Sequence, residues 1–198
     1  AVDAPEVDDL LFTALAKGAD RVVKITGAEA VPGTAGMAAV VAATLPAIPD
    51  ADGADLILTG SRAIDDLDGM TAPLLATALD LPYTGLLNGV SIDDGGARVL
   101  KEFSGGVIGT YDVGLPAVLG IQGAEKPPRY VPIAKIRAAM GSGAIEEVPA
   151  AAAAATAPPV LVGALAKPEE SGRAEMLTGD VEELANTLAD LLADRGLV

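Results

Sequence analysis

The 198-residue sequence contains no cysteine and no histidine. Zinc sites built from thiolate and imidazole are therefore excluded. So are Ser-His-Asp triads, Cys-His pairs and disulfides. Basic residues are scarce, with 13 Lys and Arg against 28 Asp and Glu, for a formal net charge of −15. That balance disfavours nucleic acid and anionic membrane as partners. No run of eighteen apolar residues occurs and no signal-peptide pattern is visible, so a cytoplasmic chain is the expectation.

What is present is apolar and patterned. Half of the residues are hydrophobic, enough to bury a core against the entropy of ordering the chain. The opening, "AVDAPEV", reads as the end of a strand, and at least one strand and helix are expected ahead of residue 1. Val7, Leu10, Leu11, Ala14 and Leu15 then recur at helical spacing, with Gly18 where a C-cap would sit. "RVVKIT" is a β-branched run and reads as a strand. Thr34 is placed to cap a helix reaching about Leu45, before Pro46 and Pro49 punctuate a loop. "DLILTG" is a second strand, read as buried because it barely alternates. Helix, strand, helix, strand implies parallel crossover units and an α/β sheet.

After Pro82 the pattern changes to short apolar runs broken by glycine pairs, with DDGG and SGG as turn chemistry. Antiparallel strands or hairpins are expected near 86–92, 97–103, 107–113 and 116–121. "PPRYVPIAKIRAAMGSG" reads as a constrained loop and a short helix ended by Gly141 and Gly143. An Ala- and Pro-rich linker at 149–159 then separates a domain at 1–148 from an arm at 160–198. The arm ends in a helix capped by Asp180 or Thr178, with acids in its first turn and a Leu184, Leu188, Leu191 stripe. That stripe reads as a packing face, on this chain or on a partner.

The stretch "GSRAIDDLDGMTAPLLA" follows the second strand and reads as a loop entering a helix near Met70 to Pro73. A helix N-terminus offers free N–H groups and partial positive charge, so phosphate can sit there without a basic side chain. Gly69 would let backbone approach a ligand, and Thr71 could donate a hydroxyl. Asp65, Asp66 and Asp68 would then accept hydrogen bonds from a ribose or an adenine amino group. The same acids equally suit an Asp-rich turn that caps the helix. The loop is neither a Walker sequence nor a GxGxxG sequence.

Lys126, Arg129, Lys135 and Arg137 form the basic segment of this acidic chain. They read either as a solvated loop and helix face or as a docking surface for an acidic partner.

Four segments in order resemble the β subunit of electron transfer flavoproteins. "ADLILTGSRAIDDLDGMTAPLLA" is similar to that family's strand and GKQAIDGDTGQVGP-like loop, through Gly60, Ala63, Ile64, Asp65, Gly69 and Pro73. "ALAKGADRVVKI" resembles the helix and strand before the loop. Pro128, Arg129 and Tyr130 resemble the family's Pro-Arg-Tyr motif before a short helix. The tail resembles the C-terminal arm of the branch with nitrogen-fixation-linked and bifurcating members. Leu67 and Met70 depart from polar residues of the family loop.

The resemblance implies a Rossmann-like, adenine-nucleotide α-hydrolase-like α/β fold with a mostly parallel sheet, antiparallel additions and a C-terminal helical arm. It implies a non-enzymatic electron carrier paired with an α subunit that holds most of an FAD. The β loop would bind AMP or a second FAD through Gly60, Ala63, Asp65, Asp66, Asp68, Gly69, Met70 and Thr71. A flavin dehydrogenase would donate electrons and a membrane- or quinone-linked acceptor could take them. Arg129, Tyr130, Ile133 and Lys135 would meet the dehydrogenase, with Ile133 at the place of the family's anchoring leucine. Ile133 packed under its own helix is the other reading. Lys101 and Glu102 resemble an Arg-Glu pair near the flavin, and a cross-strand ion pair explains them as well. A universal-stress-type nucleotide module, or a scaffold subunit with a degenerate loop, are the alternatives.

Overall fold

The computed structural model describes residues 1–28, 33–51, 53–64, 68–93, 95–142, 145–153, 163–167, 174 and 176–198. The chain divides into a unit of Ala1–Val162 and a unit of Gly163–Val198.

In the first unit, helix α1 (Val7–Lys17) ends on Gly18, whose left-handed backbone donates its N–H to the α1 carbonyls. Strand β1 (Val23–Thr26) follows, then α2 (Gly33–Thr44), β2 (Leu56–Gly60) and α3 (Thr71–Leu79). Next come β3 (Tyr83–Asp93), β4 (Gly96–Phe103), β5 (Val107–Val113) and β6 (Ala117–Ile121). Helix α4 (Ile133–Ser142) and strand β7 (Glu146–Pro149) complete the unit.

The main sheet has the order β2-β6-β3-β4-β5. Strands β2, β6 and β3 run parallel, while β3, β4 and β5 form an antiparallel extension. The fold is thus α/β with a mixed sheet, as the sequence pattern implies. The expectation for 116–121 needs correction: β6 is a parallel strand inserted between β2 and β3, not part of a hairpin. Its residues Ala117, Val118 and Leu119 are fully buried, because strands flank it on both sides and α3 covers one face.

Strand β2 is not the buried strand that its apolar run suggests. It pairs with β6 alone among the described residues, and Leu58 is 57% exposed. An unbroken apolar run fits burial on both faces, and among the described residues one side of the strand carries no neighbour.

Helices α2 and α3 pack together through small side chains, with Ala38 and Ala42 against Leu75. Thr34 lies inside α2 and is buried, so it is not an exposed cap ahead of the helix. Gly141 likewise lies within α4, which continues to Ser142.

A second sheet pairs β1 with β7 in parallel, and Val2 bridges to Ile25 beside it. The sequence reading contains no β7, and Pro149, assigned there to the linker, closes this strand. Ala150 N–H donates to the Thr26 carbonyl (2.8 Å), and Ala151 N–H donates to Thr44 Oγ1 (3.1 Å). Residues 154–162 lie outside the described residues. Arg21 donates two hydrogen bonds to Glu146, Nε to Oε1 at 2.8 Å and Nη2 to Oε2 at 2.6 Å. Those bonds hold the Glu146 carboxyl below its ordinary value. Lys24 bridges Glu147 (2.9 Å) and Asp8 (3.1 Å), and both bonds raise its pKa.

In the second unit, α5 (Val181–Asp194) begins with a reciprocal cap. Asp180 Oδ1 accepts from the N–H groups of Glu182 (3.0 Å) and Glu183 (2.9 Å). Glu183 Oε2 accepts from the Asp180 N–H in return (3.2 Å). No α5 side chain is buried, although its leucines recur on one face.

Candidate functional site

Parallel strands β2 and β6 end side by side, with Gly60 opposite Ile121. In α/β sheets the carboxyl ends of the strands are where ligands bind, because the loops and helix N-termini gather there. Here they border a cavity of about 750 Å³, within the range of small-molecule sites. Gly60, Ser61, Arg62, Asp68, Gly69, Met70 and Pro73 line it from the loop side. Tyr83, Leu86, Ile121 and Gln122 line it from the sheet.

The loop turns tightly at its end, ahead of α3. Gly69 has φ +65°, and a Cβ there would stand 3.0 Å from the Ser61 carbonyl oxygen. Only glycine meets both demands without strain. Asp68 Oδ1 accepts the Met70 N–H at 3.1 Å, so this acid closes the turn ahead of α3. The first α3 hydrogen bond runs from Leu74 N–H to the Met70 carbonyl at 3.0 Å. Pro73 lies in the first turn, where its missing N–H costs nothing. The Ser61 hydroxyl is buried and has no hydrogen-bond partner among the described residues. A buried polar group in that state normally has an unseen partner.

On the sheet side, β3 carries a bulge between Gly85 and Leu87. Leu86 at the bulge has φ +60°, and its side chain is half exposed in the cavity. Bulges re-aim side chains in this way next to sites.

Of the loop residues predicted from sequence, Gly60, Asp68, Gly69 and Met70 line the cavity. Ala63 and Thr71 do not line it. Asp65 and Asp66 lie outside the described residues. Arg62 brings a cation to the cavity wall, while Asp68 is turned to backbone. Ser61, Arg62, Tyr83, Leu86, Ile121 and Gln122 escaped the sequence reading. The rule of carboxyl strand ends would have found Ile121 and Gln122, at the end of the neighbouring parallel strand.

The predicted docking residues lie elsewhere. Arg129 donates Nη2–H to the Lys17 carbonyl at 2.7 Å, so it fastens the loop before α4 to the C-terminus of α1. Tyr130 and Lys135 are exposed, and Ile133, the first residue of α4, is 64% exposed rather than packed beneath its helix. Lys101 and Glu102 do not pair with each other. Lys101 Nζ stands 5.7 Å from the centre of the Phe103 ring, and Glu102 accepts from Asn88 Nδ2 at 2.9 Å. Adjacent residues of one strand face opposite sides of the sheet, which separates the two charges.

A model of the electron transfer flavoprotein domain matches residues 2–153. The chain belongs to the electron transfer flavoprotein family. Relatives of this family member include an electron transfer flavoprotein subunit beta from Methylophilus methylotrophus, 29% identical over 201 residues. That match covers 97% of this chain and 74% of the relative. The subunit of the same name from Dictyostelium discoideum is 33% identical over 129 residues, covering 65% of this chain and 49% of the relative. The mitochondrial subunit from Oryza sativa subsp. indica is 34% identical over 128 residues, covering 65% and 50%. The chain thus spans about half the length of the latter two. The β-subunit resemblance read from the four motifs agrees with these names. Among the described residues no helix is long and apolar enough to cross a membrane.

Proposed function

We propose that this chain is the β-type subunit of an electron transfer flavoprotein and that the cavity at the ends of β2 and β6 holds an adenine nucleotide. The observation that carries the site is the loop from Gly60 to Met70. Its glycine backbone and the first turn of α3 meet on one cavity that Ser61 and Arg62 also line. Those are neutral and cationic donors, and they suit a phosphate. Met70, Leu86 and Ile121 give the cavity apolar walls suited to a ring.

Flavin supplies the redox chemistry when bound, and the polypeptide contributes binding, orientation and exclusion of water. Arg62 and the α3 amides would hold the phosphate, and Gln122 would meet a polar edge of the sugar or base. A second subunit would complete the protein. The antiparallel extension leaves Phe103, Val107, Ile108 and Tyr111 exposed, and α5 presents Leu188, Leu191 and Leu192. Such apolar surface marks an interaction site. Ile133 presents a separate apolar tip, beside Tyr130 and Lys135, for an electron donor.

The test is to purify the chain with its partner subunit, denature the complex and identify the released nucleotide. AMP or FAD beyond the flavin bound by the partner is expected. A complex that carries flavin only in its partner, and takes up neither nucleotide when they are added, would leave this chain a scaffold.

A further inference from the structure

Tyr83 opens β3 and is 42% exposed in the wall of the cavity. Its ring runs along its own strand over Gly85. A Cβ at Gly85 would collide with the Tyr83 hydroxyl and would stand 2.6 Å from Cζ. Gly120, directly opposite Gly85 on β6, has the same hydroxyl 3.3 Å from where its Cβ would be. Neither glycine has a positive φ, so the backbone does not call for them. Glycine within a strand weakens it and often marks a close approach. The pair clears the space in which the Tyr83 ring lies.

The ring delivers the hydroxyl to a particular place. The position of a Gly120 Cβ is 3.6 Å from the Ala72 Cβ, so the hydroxyl and the first turn of α3 flank the same glycine. The Tyr83 hydroxyl has no hydrogen-bond partner among the described residues. Tyr83 itself lines the cavity, so this hydroxyl is open to a ligand there. An unengaged hydroxyl beside the first turn of a helix is a donor for an oxyanion.

We propose that Tyr83 is a specificity-determining residue whose hydroxyl donates a hydrogen bond to the phosphate of the bound nucleotide. The proposal rests on the reading of the cavity as a nucleotide site. It predicts that this chain favours a phosphorylated nucleotide over the bare nucleoside through a side chain of the sheet, in addition to the loop. The Gly85–Gly120 pair is then a seat for the ring.

Tyr83→Phe keeps the ring on its glycine seat and removes the donor. The full chain, freed of bound nucleotide, is titrated calorimetrically with AMP and separately with adenosine. The parent is expected to bind AMP more tightly, and Tyr83→Phe to lose about tenfold or more of the AMP affinity, the size of a charge-assisted hydrogen bond. Adenosine affinity and the melting temperature should stay at parent values. If the parent binds AMP and Tyr83→Phe binds it equally well, the proposal fails and the nucleotide site stands. An equal loss for AMP and adenosine assigns Tyr83 a packing role and also overturns it. If the parent binds neither, the site reading fails and takes the proposal with it.

Discussion

Replacing Gly69 separates two demands that the loop makes on one residue. Its φ of +65° is left-handed, and a Cβ would stand 3.0 Å from the Ser61 carbonyl oxygen. For an L-residue the left-handed conformation costs roughly 1–2 kcal/mol. Alanine recovers part of that cost, about 0.4–1 kcal/mol, by restricting the unfolded chain. The carbonyl contact adds to the cost, because the obstacle is backbone rather than the end of a flexible side chain. Gly69→Ala should therefore lose about 1–2 kcal/mol in urea unfolding, with an unchanged slope. Gly69→Asn carries the same Cβ but tolerates the left-handed region, so the difference between the two variants reports φ and their common loss reports the contact. Gly69→Val, β-branched, should be worst and should abolish nucleotide retention. An alanine variant as stable as the parent would refute the reasoning, since it would mean the loop holds Gly69 in a conformation open to any residue.

Thr44 is fully buried, donates to the Val40 carbonyl at 2.7 Å and accepts from Ala151 N–H at 3.1 Å. Thr44→Val should destabilise by about 1–3 kcal/mol by stranding that amide, with Thr44→Ser recovering most of it in the same denaturation assay. Because Arg21 holds the Glu146 carboxyl below its ordinary 4.5, the stability from that pair is present above that pH and lost as pH falls through the lower folded value. The urea midpoint of Glu146→Gln should accordingly fall less than the parent's between about pH 5 and pH 3. Ile133→Ala should slow electron transfer from a flavin dehydrogenase while changing stability by less than about 0.5 kcal/mol; a large loss of stability would make the residue core. Deleting residues 160–198 should lower the yield of partner subunit in co-purification and leave the far-ultraviolet circular dichroism of the sheet in place, whereas full recovery would make the arm dispensable.

Where local chemistry and tertiary context agree, the sequence was legible. The α5 cap rests on Asp180 and Glu183, three residues apart, and needs nothing from elsewhere in the chain. The DDGG and SGG turns announce the antiparallel extension for the same reason. Strand β7 was hidden because "EEVP" has little strand character; it exists through pairing with β1, more than a hundred residues away in sequence. The exposure of β2 is not legible in its apolar run, because the run records composition while exposure depends on which strands lie beside it. The four residues of the cavity wall that come from the sheet are equally remote from the loop motif. Tyr83 and Leu86 become visible only once β3 is known to begin at Tyr83 and to bulge at Leu86.

At the far side of the antiparallel extension β5 has a single paired neighbour, β4, among the described residues. An outer strand of this kind is a template on which another copy can add, and β5 offers Val107 and Ile108 with it. The restraint against such addition is the charge of −15, which makes copies repel. Repulsion has a range set by the solvent, about 10 Å at 0.1 M salt and about 30 Å at 0.01 M. Colloidal behaviour is thereby tied to topology: dilute buffer keeps the chains apart, and added salt brings their open edges within reach of one another.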